Sequence, residues 1–350
     1  MVAQKGLLKW AGGKEQELKY ILPYVPDFNR YYEPFVGGGA ACFSIPAKQS
    51  FLNDASQELM ALYQVLAENN LNFWSVLSEL TMRWEQLTQV IAQQQVLFFS
   101  YYQNGDLEMV LREQSLLDCF FCADESARQE LRRNLKSKLS RMKRLEAERG
   151  KLSSADVLAN LECACKSAFY MHIRALYNTH AMRSRGAHTA LFFFVREYAY
   201  ASMFRYNKKG HLNVPYGGIS YNQKSLAKKV SYLHAVQDRV QDATLACMDF
   251  EAFLEMYPPA DDDFLLVDPP YDTHFSTYSK NIFGKDDQIR LARVLQSTKG
   301  KFLLLAKNTP LIRSLYGGYH LFSFEKNYLV NFQGRNNKKT EHTIITNYTS

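Results

Sequence analysis

The stretch FLLVDPPY, residues 264–271, joins four apolar residues directly to an acid, two prolines and a tyrosine. This pattern is typical of the carboxyl end of a buried strand, the edge at which open α/β sheets bind their ligands. It therefore predicts an α/β fold with a functional site at Asp268. The alternative is a strand that merely ends in a proline turn, and the tetrapeptide by itself leaves both interpretations open.

The residues after the apolar run can form a rigid surface of hydrogen-bond acceptors beside an aromatic face. The lone pair of a planar exocyclic amine is conjugated with its ring, so acceptors for both amino hydrogens would favour the pyramidal nitrogen of a transition state. Asp268 would supply a carboxylate oxygen. Pro269, which has a fixed φ and no N–H, would supply a carbonyl oxygen. Tyr271 would stack on the ring, a contact worth roughly 1–3 kcal/mol for a nucleic-acid base.

Two glycine-rich motifs lie near the amino terminus, LKWAGGK at residues 8–14 and EPFVGGGA at residues 33–40. Glycines between a strand and a helix let a ligand approach the backbone closely. The segment SFLND, residues 50–54, predicts a short strand ending in an acid, where nucleotide-binding sheets usually hold a ribose diol. Asp54 could equally be the N-cap of the helix that apolar spacing predicts over residues 55–70.

Taken in order, these motifs resemble the DNA adenine-N6 methyltransferases of the type that includes DNA adenine methylase. The resemblance covers about residues 5–70 and 192–348. Its motifs are LKWAGGK, EPFVGGGA, the acid at Asp54, RYNKKGHLNVPYG, VDPPY and a basic segment before EHTIITNY. Finding them all in one order is far more specific than any single motif.

The resemblance implies a Rossmann-like, mixed seven-stranded methyltransferase sheet with helices on both faces. Residues 1–71 and 225–350 would form this catalytic domain. Residues 72–224 would form an inserted, mainly helical DNA-recognition domain that carries a β-hairpin. The reaction implied is methyl transfer from S-adenosylmethionine to N6 of a flipped adenine in duplex DNA, with S-adenosylhomocysteine as product. No metal is required, because a sulfonium is already a strong methyl electrophile.

The resemblance also assigns roles to individual residues. Trp10 and Lys14 would line the donor pocket, Asp54 would bind the donor ribose, and Asp249 and Phe250 would lie beside its adenine. The donor-binding residues implied are Trp10, Lys14, Phe35, Gly37, Gly39, Asp54, Asp249, Phe250 and Asp268. The catalytic residues implied are Asp268, Pro269, Pro270 and Tyr271. The DNA-binding residues implied are Lys9, Tyr200, Arg205, Asn213, Pro215, Lys338 and Lys339.

Sequence readout is expected around residues 204–217, where Asn-Lys-Lys-Gly between apolar and aromatic flanks predicts a hairpin. A two-stranded ribbon fits the major groove, and Arg205 could donate bidentately to a guanine edge. In relatives that modify GATC, Ile219 and Ala201 are replaced by a base-contacting tyrosine and by an asparagine. GATC is therefore only one of the targets left open, and a ribbon that merely packs against the protein is the structural alternative.

The segment 128–151 holds ten Lys or Arg residues against three Glu residues, which equals the formal net charge of +7 for the whole chain. Five apolar residues recur at spacings of four or three and predict an amphipathic helix with a cationic outer face: Leu131, Leu135, Leu139, Met142 and Leu145. Cationic helices contact phosphates without reading sequence. A solvated face that keeps the protein soluble is the alternative.

Composition adds few constraints, since 350 residues with 47% hydrophobic content can bury a large core. The chain shows no apolar run near 18 residues and no signal peptide, which predicts a cytoplasmic protein with no membrane partner. Association with the nucleoid is implied by the resemblance to DNA methyltransferases. Cys119, Cys122, Cys163 and Cys165 could bind zinc, although buried free thiols are favoured. Duplex DNA is the expected partner, and a separately encoded restriction endonuclease is left open. So are an RNA or protein-amide N-methyltransferase and a DNA-binding relative without catalysis.

Overall fold

The structure is a computed structural model. It describes residues 3–10, 12–122, 124–180, 182, 184–270, 283–326 and 340–349. The chain divides into two compact units: the first comprises residues 1–68 with 236–350, and the second comprises residues 69–235. The sequence had placed these boundaries at 72 and 225.

Within the described residues, the first unit contains one seven-stranded sheet. Its strands are β1 (Tyr31–Glu33), β2 (Ser50–Asn53), β3 (Ala243–Ala246), β4 (Phe264–Val267), β5 (Lys301–Lys307), β6 (His320–Lys326) and β7 (Thr340–Thr346). Their order is β3-β2-β1-β4-β5-β7-β6. The first five are parallel, and β7 runs antiparallel to both β5 and β6. The predicted mixed seven-stranded α/β sheet is confirmed.

The described residues also form fourteen α-helices. They are α1 (Leu18–Ile21), α2 (Ala40–Ser44), α3 (Gln57–Ala67), α4 (Leu71–Gln93), α5 (Gln95–Asn104), α6 (Leu107–Leu111), α7 (Gln114–Asp118), α8 (Glu125–Arg149), α9 (Ser154–Asn178), α10 (Arg185–Tyr198), α11 (Leu226–Gln241), α12 (Phe250–Met256), α13 (Lys285–Ser297) and α14 (Pro310–Tyr316). None of the helices in this part of the chain is both long and apolar enough to cross a membrane.

The central strands lie inside the sheet and are apolar along their whole length. All four residues of β4 are buried, as are the five interior residues of β5. A continuous apolar run is typical of a parallel strand that is covered on both faces. On one face the side chains of Tyr32 and Phe51 stack at 4.6 Å, in a core shared with α12, α13 and α14. Each such side chain contributes roughly 1.5–3 kcal/mol by leaving water.

The order in which the chain adds strands to the sheet reverses between β1 and β4. β1 leads to β2 on one side, whereas β4 leads to β5 on the other. Ligands of open α/β sheets bind outside the carboxyl ends of the strands at this switch point. The segments that follow β1 and β4 are the EPFVGGGA and DPPY motifs, so the topology brings them to the same edge.

The second unit is mainly helical and packs around aromatic side chains. The ring of Trp84 on α4 meets Phe169 on α9 and Phe194 on α10 at centroid distances of 5.5 and 5.4 Å. Of the five apolar residues whose spacing predicted α8, Leu131, Leu135 and Met142 are buried, whereas Leu139 and Leu145 are half-buried. The recognition role of this unit remains a prediction.

Candidate active site

A buried amide joins the carboxyl ends of β1, β2 and β3. The Asn53 side chain donates from Nδ2 to the carbonyl oxygens of Pro34 at 2.9 Å and Met248 at 3.0 Å. Its Oδ1 accepts from Met248 N at 3.0 Å, and its backbone carbonyl accepts from Val36 N at 2.8 Å. Asn53 is only 1% exposed. It therefore sets the positions of the segments that follow β1 and β3.

The glycines after β1 form a turn that excludes side chains. Gly37 and Gly39 have φ values of +51° and +82°, which favour glycine. A Cβ on Gly39 would lie 2.4 Å from the hydroxyl oxygen of Tyr63, and one on Gly37 would lie 3.3 Å from Cδ1 of Trp10. The indole of Trp10 thus covers the Gly37 backbone. Helix α2, which follows, has only five residues, so backbone geometry rather than a helix dipole characterises this turn.

Asp54 lies directly after β2 and is held by two backbone amides. Its Oδ2 accepts from Gly37 N at 3.1 Å, and its Oδ1 accepts from Ser56 N at 2.9 Å. Burial raises the pKa of Asp54, while these two hydrogen bonds oppose the rise. The N-cap of α3 is Ser56, whose hydroxyl accepts from Leu59 N. The N-cap alternative for Asp54 is therefore wrong.

Asp268 lies at the end of β4 and forms an ion pair with Lys14. The Lys14 Nζ is 2.7 Å from Asp268 Oδ2 and also donates to the carbonyl of Gly12 at 2.7 Å. Lys14 is buried, whereas the Asp268 side chain is 20% exposed. Pro269 is buried and Pro270 is exposed. The LKWAGGK and DPPY motifs, distant in sequence, thus meet through a salt bridge.

Glu33 is a second carboxylic acid at this edge, 3% exposed at the end of β1. It accepts a hydrogen bond from the hydroxyl of Tyr31. Burial raises the pKa of Glu33 to about 8, and the charge of Asp268 adds to the rise. At neutral pH, Glu33 is therefore held mostly in its neutral form.

Three aromatic side chains meet beside the segment that follows β1. Phe35, Phe250 and Phe283 lie at mutual centroid distances of 5.4, 5.6 and 5.8 Å. Asp249 is separate from them in environment, because its carboxylate caps α12 and pairs with Arg290 at 2.6 Å. Phe250 therefore packs with Phe35, whereas the Asp249 side chain is half-exposed and bound to a cation.

In the second unit, residues 204–216 form a turn whose backbone is held by hydrogen bonds from side chains of α9. Residues Tyr206 and Leu212 form an antiparallel bridge, and Gly210 has a φ of +75°. The α9 residues Tyr170 and Arg174 donate to the carbonyl of Val214 at 3.0 and 2.7 Å. Four residues further along α9, Asn178 accepts from Leu212 N and donates to its carbonyl. The spacing of four places all three anchors on one helix face.

The residues predicted to read DNA lie on the outer side of this turn. Arg205, Asn213 and Pro215 are exposed, whereas the alternating Leu212 and Val214 are buried. The Arg205 Nε donates to the Asn213 carbonyl at 2.7 Å, a hydrogen bond that uses none of the N–H groups on the two terminal nitrogens.

Other predicted DNA-binding residues lie elsewhere. Tyr200 is 49% exposed in the second unit, and Lys9 is exposed in the first. Tyr271, Lys338 and Lys339 lie outside the described residues.

Sequence reasoning missed Asn53 and gave Glu33 no role, although Asn53 adjoins Asp54 and Glu33 begins the EPFVGGGA motif. A polar residue at the end of an otherwise apolar strand was the available signal for both. Cys119, Cys163 and Cys165 are buried free thiols, while Cys122 is exposed. Among the described residues, no cluster of His, Cys, Asp or Glu could hold a metal ion.

Comparison with known proteins gives a family match along most of the chain. The model of the D12 class N6 adenine-specific DNA methyltransferases matches residues 10–121 and 147–330. The type II methyltransferase M.CviBI of Paramecium bursaria Chlorella virus NC1A is 26% identical over 353 residues, covering 98% of this chain and 100% of the relative. For M.MjaIII of Methanocaldococcus jannaschii the identity is 26% over 370 residues, covering 98% and 99%.

The DNA adenine methylase of Vibrio cholerae serotype O1 is 22% identical over 356 residues, covering 98% of this chain and 96% of the relative. The family model alone spans well over half of the chain, and it includes Trp10, Asp54 and Asp268. The chain therefore belongs to the D12 class N6 adenine-specific DNA methyltransferases and is an enzyme that methylates adenine in DNA.

Proposed function

We propose that the methyl donor is S-adenosylmethionine, bound at the carboxyl edge of β2, β1 and β4. The observation that carries this proposal is the convergence of Trp10, Asp54 and Asp268. Trp10 covers Gly37, Gly37 donates to Asp54, and Lys14 of the Trp10 motif pairs with Asp268. These contacts join three separate motifs at the switch point of the sheet, where such folds bind nucleotide-like ligands.

The chemistry of the residues fits each part of this donor. Gly37 and Gly39 offer backbone without side chains for the methionine part. Asp54 uses one lone pair of each oxygen for a backbone amide, which leaves further lone pairs to accept from a ribose diol. Phe35 and Phe250, with their ring neighbour Phe283, provide apolar faces for the donor's adenine. The half-exposed Asp249 is the weakest member of this set, because Arg290 already holds its carboxylate.

Asp268 and Pro269 are proposed to accept the two hydrogens of the target amine. Lys14 binds Asp268 Oδ2 and so fixes the orientation of the carboxylate before the substrate arrives. A preorganised acceptor of this kind stabilises the charge that develops on nitrogen without further reorganisation. S-adenosylmethionine supplies an electrophilic methyl group on a sulfonium. The protein holds the nitrogen in line with that group and excludes water, which can supply much of the barrier reduction.

The target adenine is proposed to leave the duplex. An amino group inside stacked DNA cannot reach an acceptor at the end of a buried strand, so the base must be turned outward. Tyr271 would then stack on it, and Pro270 would complete the rigid turn. Base-specific contacts are proposed for Arg205, Asn213, Pro215, Tyr200 and Lys9, and phosphate contacts for Lys338 and Lys339.

The relatives named type II methyltransferases match this chain along their whole length. This supports a role in restriction and modification, with a separately encoded endonuclease as a functional partner. Single-molecule sequencing of DNA from cells that express the chain would reveal the target site. The modified DNA is then exposed to any endonuclease encoded next to the gene. The proposal of such a partner fails if the methylation does not protect the DNA from cleavage.

The decisive experiment compares wild type with Asp268→Ala and Asp268→Asn. Methyl incorporation from labelled S-adenosylmethionine is measured into duplex DNA, RNA and protein, and donor binding is measured separately by calorimetry. We expect wild type to label duplex DNA alone, and both variants to lose activity while they still bind donor. Asp286→Asn, an exposed acid in the first turn of α13, is the matched control. Unchanged turnover in the Asp268 variants would remove the assignment, and labelling of RNA or protein would support the alternative substrates.

A further inference from the structure

Helix α8 carries a cationic face that the proposed active site does not use. Leu131, Leu135 and Met142 are buried on one side of the helix. Six cations lie away from that side: Arg132, Arg133, Lys136, Arg141, Lys143 and Arg144. At 1.5 Å per residue, they extend over about 18 Å of helix. Ser137 and Ser140 lie exposed between them and add hydroxyl donors.

The neighbouring elements of the second unit hold α8 in a fixed position. The Arg128 Nη1 donates to the Leu111 carbonyl at 3.3 Å near one end of the helix. In the middle, the Ser167 hydroxyl of α9 donates to Asn134 at 2.8 Å. Near the other end, the Tyr102 hydroxyl donates to Glu146. The cationic face is therefore presented on a rigid support and not on a loose segment.

Local carboxylates neutralise only part of this face. Arg132 pairs with Glu108 at 3.1 Å and Arg133 with Glu130 at 2.6 Å, and these arginine side chains are 40% and 59% exposed. Such exposed pairs are worth at most about 1 kcal/mol and exchange easily for other anions. Lys136, Arg141 and Arg144 are exposed and have no carboxylate partner in the part of the chain that the structure describes.

The cationic face also lies outside the region that the family model matches. The match ends at residue 121 and resumes at residue 147, whereas α8 spans Glu125–Arg149. Nearly all of α8 is therefore additional to the parts of the chain that match the family model. Its charge cannot be explained by the catalytic site or by the turn at residues 204–216.

We propose that the outer face of α8 binds the phosphate backbone of the DNA substrate, independently of sequence, as an added electrostatic contact. The proposal rests on DNA being the substrate. A DNA strand carries one phosphate per 3.4 Å of axis, so about 18 Å of duplex presents about five phosphates per strand to this face. Arginine, lysine and serine are common donors to phosphate oxygens, and such contacts position a protein without reading bases.

The test is the salt dependence of DNA binding by the full chain. The variant is Lys136→Gln, Arg141→Gln and Arg144→Gln, the three cations for which the described residues offer no carboxylate partner. Anisotropy of a fluorescein-labelled, 30-base-pair duplex of mixed sequence gives Kd at KCl concentrations from about 50 to 200 mM. Each lost phosphate contact should lower the slope of log Kd against log salt by about 0.9, or about 2.7 in total. The ratio of the variant's Kd to the wild-type Kd should then fall about 40-fold between 50 and 200 mM KCl.

Two controls separate local contact from general charge. Lys136→Arg, Arg141→Lys and Arg144→Lys keep the charge and should keep the slope. Lys48→Gln, Arg293→Gln and Lys299→Gln remove the same charge from exposed positions in the first unit, and should leave the slope near that of wild type. Gln is close to Lys and Arg in helix propensity, so the fold should persist, and thermal unfolding checks this.

The proposal is overturned if the α8 variant keeps the wild-type slope, or if the first-unit control loses as much slope. Should the triple variant fail to fold, Arg144→Gln alone must lower the slope by about 0.9. Methyl incorporation by wild type is measured on its own, so a failure of this proposal leaves the proposed reaction untouched. Loss of binding without loss of slope would also contradict it, because released counterions are the signature of phosphate contact.

Discussion

Replacing Asn53 by Asp tests whether one buried amide holds the donor-binding segments together. The exchange keeps the size of the side chain but removes both N–H donors. The carbonyls of Pro34 and Met248, now paired at 2.9 and 3.0 Å, would face carboxylate oxygens instead. The hydrogen bond from Met248 N could persist, since the new side chain still accepts.

The cost follows from the two carbonyls that lose their donor. Each buried polar group left unsatisfied costs about 1–3 kcal/mol, which gives about 2–6 kcal/mol for Asn53→Asp. A domain is typically stable by about 5–15 kcal/mol, so the loss is large but not always fatal. The new carboxyl group would be buried among acceptors, which raises its pKa in the folded state.

The sign of the pH dependence is therefore defined. Below the pKa of the unfolded chain, about 3.9, the group is neutral in both states and donates one hydrogen bond. Its contribution to stability is lost as the pH rises toward the raised pKa of the folded state. The gap between wild type and Asn53→Asp should be smaller near pH 5 than near pH 8.

Urea unfolding at several pH values measures this gap, and calorimetry with S-adenosylhomocysteine measures donor-site binding. Asn347→Asp is the matched control, because the Asn347 side chain also bridges two backbone groups, Gly300 O at 3.0 Å and Phe302 N at 2.7 Å. Asn347 is exposed and lies where β5 begins, at the opposite end of the strand from the site. The reasoning is refuted if Asn53→Asp costs no more than Asn347→Asp and binds ligand as tightly as wild type.

Three further predictions follow from the geometry. Burial raises the pKa of Glu33 to about 8, so its contribution to stability is complete below pH 4 and is lost as the pH rises toward 8. The unfolding free energy should therefore fall by up to about 1.4 kcal/mol per pH unit in this range. Glu33→Gln should remove this pH dependence, as measured by urea unfolding. Gly39→Ala should weaken S-adenosylhomocysteine binding, as measured by calorimetry. Gly105 has a similar φ of +75° but open space around it, so Gly105→Ala should lower only the free energy of unfolding, by about 1–2 kcal/mol. Ala201 has a φ of +51°, so Ala201→Gly should raise the unfolding free energy by up to about 1 kcal/mol, and an unchanged or lower urea midpoint would contradict this.

The strands that end in Asp54 and Asp268 could be predicted because their signals are local. A continuous apolar run that ends in an acid predicts a buried parallel strand with a functional carboxyl end, and residues 50–54 and 264–268 both follow this rule. The amphipathic spacing in residues 128–151 likewise predicts a helix, and α8 spans Glu125–Arg149. In each case the pattern reports which side chains leave water, and this is what the fold depends on.

The arrangement of the site could not be predicted in the same way, because its contacts join distant parts of the chain. The Asn53 side chain bonds to residues 19 and 195 positions away. Lys14 and Asp268 are 254 positions apart; they meet where the segment around Trp10 contacts the glycines after β1, the neighbour of β4 in the sheet. Asp249 shows the limit of a short local match: the match favoured a donor contact, and in the structure the Asp249 carboxylate pairs with Arg290 of α13. The donor contact of Asp249 stays a prediction.

Both outcomes have the same physical explanation, because local motifs and long-range contacts determine different features of the site. The motifs specify what each strand end presents: glycine backbone after β1, the Asp54 carboxylate after β2 and the Asp268 carboxylate after β4. Their relative positions depend on buried polar groups such as Asn53, whose hydrogen bonds carry no periodic signal in the sequence. A buried amide with three partners has few alternative arrangements, since each broken bond leaves an unsatisfied group. Asn53, which the sequence pattern overlooks, is therefore a residue whose replacement should disturb donor binding although it makes none of the proposed ligand contacts.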